Sequence, residues 1–157
     1  MTLVIMSHTS SSTSKVSEGI SSGNLIPATT FADSLGHKFN LSNLAGKKVL
    51  LSFWATYDAH SHLEMKRMVN AIEKQGYDIQ VVAVSFDKSE SVFEKTLELE
   101  GLENTLQFNA KGGKQSDVYK KYRLNDGFKS FLIDENGLIQ KVNPSIQDLD
   151  KFITSRG

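Results

Sequence analysis

Cysteine is absent from the 157 residues. That excludes disulfides, thiolate metal sites, cysteine nucleophiles and any dithiol redox cycle within the chain. It leaves the compartment open, because extracellular proteins of this size often fold without disulfides. No apolar run reaches the ~20 residues that a membrane-spanning helix needs. Neither sign of charge dominates, with 18 Lys and Arg against 18 Asp and Glu. Nothing in that balance argues for nucleic acid or an anionic membrane as partner, and no acidic tail is visible. Large apolar groups are nearly missing from residues 7–24, which are rich in Ser, Thr and Gly. Such a segment buries too little surface to offset its ordering entropy and is expected to be a disordered leader. Its start, MTLVIMSHTSSSTSK, has no basic n-region, and its apolar patch is shorter than the roughly 7–15 residues of a signal h-region. Two readings stand: a plain leader, or the tail of a secretion signal that begins upstream. The second implies a periplasmic or extracytoplasmic location, the first a cytoplasmic one. A lipoprotein anchor would need a cysteine.

What is present fits one buried domain over residues 25–157. TTFADSLGHKFNLSNL carries a turn signal at Asp33 to Gly36 between Phe31 and Phe39, which predicts a short hairpin. KKVLLSFWA and IQVVAVSFD are continuous apolar runs, as expected of strands buried on both faces. Between them, Asp58 to Gln75 places Leu63, Met65, Met68, Val69 and Ile72 at helical spacing, and Gly76 ends the helix. Ser89 to Leu99 predicts a second helix closed by Gly101, and Leu106 to Asn109 a short strand. Lys114 to Tyr122 reads as helical. FLIDENGLIQKV reads as two strands around a Glu-Asn-Gly turn, and Ser145 to Ser155 as a last helix. The order predicts an α/β core: a parallel half joined by right-handed crossovers, then an antiparallel hairpin at the far side of one sheet.

These phrases resemble a family. VLLSFWAT-x-x-x-x-S-x-L-E-M is similar to the strand and active-site loop of thioredoxin-like thiol–disulfide oxidoreductases, in the branch grouped with alkyl hydroperoxide reductase and thiol-specific antioxidant (AhpC/TSA) proteins. VVAVSFD resembles the second strand of that family, and SFLIDENGLI its late hairpin. The resemblance covers about Leu25 to Phe152 and implies a thioredoxin-like three-layer fold, a central mixed β-sheet flanked by helices with an N-terminal hairpin. Members usually read W-A-T-W-C-x-x-C-R-x-E-M-P. Trp54, Ala55, Thr56, Glu64 and Met65 match, and Tyr57 replaces the second Trp. Asp58 stands at the nucleophilic Cys and Ser61 at the resolving Cys. His62 replaces a basic residue and Lys66 the proline. A cis-proline that precedes the late strand in members falls at Phe128, where a trans Gly127–Phe128 peptide is expected.

The chemistry changes with those residues. A helix N-terminus that favours a thiolate also favours a carboxylate, so Asp58 is expected to cap the first helix. Asp58 cannot attack a disulfide, and the Ser61 hydroxyl is too weak an acid to replace a thiol. The two are degenerate positions, and no catalytic residue is assigned. Trp54, Tyr57 and Phe128 are candidates to line the former substrate groove, and an exposed aromatic patch there would mark a binding surface. The reading is a redox-inactive domain that binds a peptide, protein or small ligand, without nucleic acid, a membrane span or a cofactor. The alternative is a non-thiol enzyme or metal-binding protein using Asp58 with His60 or His62. Asp58 and His62 share a helix face, and so do His60 and Glu64, but residues two apart do not converge. Capping and surface ion pairs account for the same residues, and no metal ligand set is assigned. Ser61, His62 and Asp58 do not make a hydrolytic triad, since helix neighbours point about 100° apart. Gly112-Gly113-Lys114 lacks the spacing of a phosphate loop and reads as a turn.

Overall fold

The computed structural model describes residues 4–5, 15–33 and 35–155. Two antiparallel strands, β1 (Thr30–Ala32) and β2 (Lys38–Asn40), form the expected hairpin. A five-stranded sheet follows, built from β3 (Val49–Trp54), β4 (Gln80–Ser85), β5 (Leu106–Asn109), β6 (Ser130–Ile133) and β7 (Ile139–Val142), in the order β5-β4-β3-β6-β7. β3, β4 and β5 run parallel, while β6 pairs antiparallel with β3 and with β7. The sheet is therefore mixed, with the topological division the sequence predicts.

Every residue of β3 is buried, as is all of β4 except Gln80. Both faces of these strands are covered, which is why they read as unbroken apolar runs rather than alternating ones. On one face lie α1 (Ala59–Gln75), α2 (Glu90–Glu100) and α4 (Ile146–Thr154), packing Met65, Met68, Val69, Phe93, Leu149 and Phe152 against Leu50, Val81 and Leu132. Successive right-handed crossovers stepping in one direction put α1 and α2 on the same side. The β1–β2 hairpin and α3 (Asp117–Lys121) cover the other face, where Phe31, Phe108, Tyr119 and Tyr122 meet Phe53, Val84 and Phe131. These are three layers about one sheet.

Local signals set the helix ends. Asp58 is the N-cap of α1, and Gly76, in the left-handed region at φ 65°, closes it. Ser145 and Asp148 form a capping box on α4. The helix expected over Lys114 to Tyr122 is instead split: one 3₁₀ turn, Gly113–Gln115, precedes α3. Ser116 lies between them in extended backbone; its hydroxyl donates to the Gly113 carbonyl and accepts from the Tyr119 N–H, capping one element and starting the next. Leu63, placed by its spacing on the apolar stripe of α1, is exposed.

Upstream of Leu25 the chain is already tied to the sheet. The Gly19 N–H donates to the Leu25 carbonyl and the Gly23 N–H to that of Ile139. Residues 1–3 and 6–14 of the expected leader lie outside the described residues. No described helix is long and apolar enough to cross a membrane.

Candidate functional site

The loop that leaves β3 turns at Thr56 and Tyr57 and enters α1 at Asp58. Its geometry follows from short-range bonding. Asp58 Oδ1 accepts the Ser61 N–H at 2.8 Å, and the Ser61 hydroxyl donates back to the Asp58 carbonyl at 3.1 Å. The expected cap is thus in place, with Ser61 as its donor. Ser61 is buried and its Oγ also faces the Ala55 N–H at 3.4 Å. The two residues at the family's cysteine positions hold the loop closed on itself.

A second anchor was not legible in the sequence. Asp87, 6% exposed, accepts from the Thr56 N–H at 2.9 Å, the Thr56 hydroxyl at 2.6 Å and the Ser85 hydroxyl at 2.7 Å. Donors on every side satisfy a buried carboxylate that would otherwise be costly. Thr56 and Asp87 are 31 residues apart, so no local pattern announces the pair.

Trp54 does not line a groove. It is fully buried, stacked on His62 with ring centroids 5.0 Å apart and tilted against Phe93 at 6.2 Å. As the last residue of β3 it points into the layer between the sheet and α1, so its indole serves as core. His62 is drawn the same way: its Nε2 lies 2.8 Å from Glu100 Oε2, and Glu100 Oε1 pairs with Lys66 at 3.1 Å. Glu100, at the end of α2, joins two helices through the residues that replace the family's basic and proline positions.

Of the candidates for non-thiol chemistry, Asp58 and His62 have other partners. The Asp58 carboxylate caps α1, His62 binds Glu100, and exposed His60 borders a hollow of about 190 Å³ with Ser61, Glu64 and Phe128. Glu64 pairs with Arg67. Ser61 Oγ donates to a carbonyl rather than to an imidazole. Among the described residues no three His, Asp or Glu side chains gather as a metal site.

Tyr57 and Phe128 do come together. Their ring centroids are 6.3 Å apart; Tyr57 is 63% exposed and Phe128 half-buried. Phe128 stacks on Phe86 at 5.6 Å and meets Tyr119 edge-on at 6.5 Å, so the exposed ring ends an aromatic column rooted in the core. Partial burial, then the Tyr119 phenol and the Asp87 and Asp58 carboxylates, raise the Tyr57 pKa. Phe128 follows Gly127 at φ 111° and ψ 155°, a region open essentially to glycine alone. All described peptide bonds are trans, including the one before Phe128.

Comparison with known proteins matches this arrangement to the AhpC/TSA family over residues 22–142. The chain is 29% identical over 133 residues to the thioredoxin-like protein YneN of Bacillus subtilis, spanning 83% of this chain and 75% of that one. It is 28% identical over 139 residues to the thiol-disulfide oxidoreductase ResA of Geobacillus kaustophilus, spanning 85% and 76%. Among solved structures, a thioredoxin-like protein from Parabacteroides distasonis superposes with a TM-score of 0.74 at 34% identity, over 90% of this chain and all of that one. The thioredoxin domain of a thiol-disulfide oxidoreductase from Bacteroides vulgatus, at 23% identity and a TM-score of 0.73, shares the fold over 87% of this chain and all of that domain.

Proposed function

The chain belongs to the AhpC/TSA family, and from that membership and its lack of cysteine we propose that it is a redox-inactive thioredoxin-like domain that binds a peptide, a protein or a small ligand on the Tyr57–Phe128 face. Thiol exchange and thiol-based peroxide reduction both require a thiolate, and the chain has none to supply. The observation that carries the binding role is the exposed Tyr57 ring over Phe128 and Phe86, beside the loop where Asp58 and Ser61 stand in place of the cysteines. An exposed aromatic fixed on a rigid column loses little conformational entropy when a partner covers it, which is how tyrosine contributes at interfaces.

The test has two parts. In insulin-reduction and peroxide-consumption assays with an electron donor, the purified chain is expected to match the blank; turnover well above it overturns the redox part. In capture of partners from the native organism, Tyr57→Ala and Phe128→Ala are each expected to lower recovery of whatever the wild type retains. Equal recovery by both variants overturns the binding face.

A further inference from the structure

A cleft of about 950 Å³ opens beside Tyr57, lined by Phe86 to Lys88, by Glu90 and by Asn109 to Gln115. These segments directly follow β4 and β5, so the cleft lies outside the carboxyl ends of two parallel strands, where open α/β sheets place ligands. Its size falls in the ~300–1,000 Å³ range of ligand pockets. Neither Tyr57 nor the residues of the former thiol loop account for its other walls.

The walls have a definite chemistry. Lys88, Lys111 and Lys114 are exposed at the rim, and none of them is ion-paired among the described residues. Of the acidic groups, Asp87 is occupied by Thr56 and Ser85, which leaves the Glu90 carboxylate. The successive amides of Lys111, Gly112, Gly113 and Lys114 meet no acceptor among the described residues. Gly112 and Gly113 both have positive φ, 91° and 51°. Consecutive unpaired amides in a tight turn form an anion-binding concavity, and ammonium groups around them add charge. Beneath this turn Asn109, 8% exposed, has an Oδ1 with no hydrogen-bond partner, and Glu90 Oε1 is likewise buried and unpartnered. Such oxygens lack a donor, and Asn109 lines the cleft.

An anion site, a neighbouring acceptor that lacks a donor, and an exposed aromatic ring alongside are the complement of one chemical group. We propose that the cleft binds the C-terminal end of a peptide: its free carboxylate on the Lys111–Lys114 amides and the surrounding lysines, its last N–H on Asn109, and its last side chain against Tyr57. Capture of a terminal carboxylate by backbone amides is a recurring mode of peptide recognition. The proposal rests on the reading of Tyr57 as part of a binding face and names what that face would receive.

The experiment is a titration of the isotope-labelled chain, followed by amide NMR shifts, with N-acetyl-L-phenylalanine and with its carboxamide, which differs only in lacking the carboxylate. The acid is expected to give saturable shifts at Lys111 to Lys114, and the carboxamide to bind at least tenfold more weakly. Lys111→Glu combined with Lys114→Glu, both on exposed side chains, is expected to abolish the response, and Tyr57→Ala to weaken it several-fold. Equal binding of the carboxamide, shifts that do not saturate, or indifference to the charge reversal overturns the proposal. Saturable binding of inorganic phosphate with no response to N-acetylphenylalanine also overturns it, as a plain anion site. Should the charge reversal be silent while Tyr57→Ala and Phe128→Ala still lower partner capture, the cleft assignment falls and the binding face stands. Should the acid bind while both alanine variants leave capture unchanged, the face falls and the cleft stands.

Discussion

Replacing Asp58 by alanine and, separately, by asparagine asks whether the carboxylate at the family's nucleophile position is a cap or a reactive group. Asp58 Oδ1 holds the Ser61 N–H at 2.8 Å in the first turn of a 17-residue helix. Alanine removes that acceptor and leaves a helix-end donor unsatisfied, at a cost of about 1 kcal/mol within a range of ~0.5–2. For a domain of this size each kcal/mol shifts the midpoint by about 2–4 °C, so Asp58→Ala is expected to melt a few degrees below wild type. Asparagine offers the same acceptor geometry, and Asp58→Asn is expected to lose well under half as much. Ser61→Ala adds an independent check. It removes the hydroxyl that donates to the Asp58 carbonyl and faces the Ala55 N–H, and costs about 1 kcal/mol. Because both residues fasten one loop, the double alanine variant is expected to lose less than the sum of the two. Thermal melts by circular dichroism at neutral pH, with urea titrations to confirm the free energies, give all four values. Equal losses for Asp58→Ala and Asp58→Asn would refute the capping argument, as would additive losses in the double variant. A catalytic or ligating Asp58 predicts the opposite pattern: little change in stability, and activity damaged as much by asparagine as by alanine.

Restoring cysteines at Asp58 and Ser61 is expected to give insulin reduction above blank, weakened by Phe128 in the position of the family's proline; a double variant that forms no disulfide on oxidation would show that the loop geometry has moved away from a thiol-competent one. Gly127→Ala, at φ 111°, is expected to cost about 1–3 kcal/mol in a urea titration, and a neutral result would contradict the backbone argument. Asp148 carries a pKa lowered by bonds from the Ser145 N–H and hydroxyl. A lowered native pKa stabilises the fold above the unfolded value, and that contribution is lost as pH falls through the native one. Asp148→Asn is therefore expected to be less stable than wild type at neutral pH and to converge with it in acid; a gap independent of pH would refute this.

Much of the fold was legible because its causes are local. The buried strands read as unbroken apolar runs, Asp58 as a cap, and Gly76 and Gly101 as helix ends, all from contacts within a few residues. The loss of thiol chemistry follows from composition alone, since no fold can supply a missing sulfur. The site was legible only in part. Tyr57 and Phe128 could be named as neighbours because the resemblance places them on facing loops, yet the column that props them, through Phe86 and Tyr119, depends on packing between β4, α3 and the loop before β6.

Trp54 and His62 show the limit most plainly. An aromatic residue at the end of a strand can turn to solvent or to the core, and strand periodicity does not choose once both faces are covered. The choice was made by α1 and α2, which bring His62 and Phe93 against the indole and Glu100 against His62. Asp87 finds Thr56, and the Lys111–Lys114 turn comes to lie beside Tyr57, for the same reason. Hydrogen bonds and ring contacts act over a few ångströms, whereas sequence patterns report only neighbours along the chain. The sequence by itself determined the long helices, the buried strands and the absence of a thiol; the sheet order β5-β4-β3-β6-β7 decided which side chains became core, which became anchor and which were left exposed.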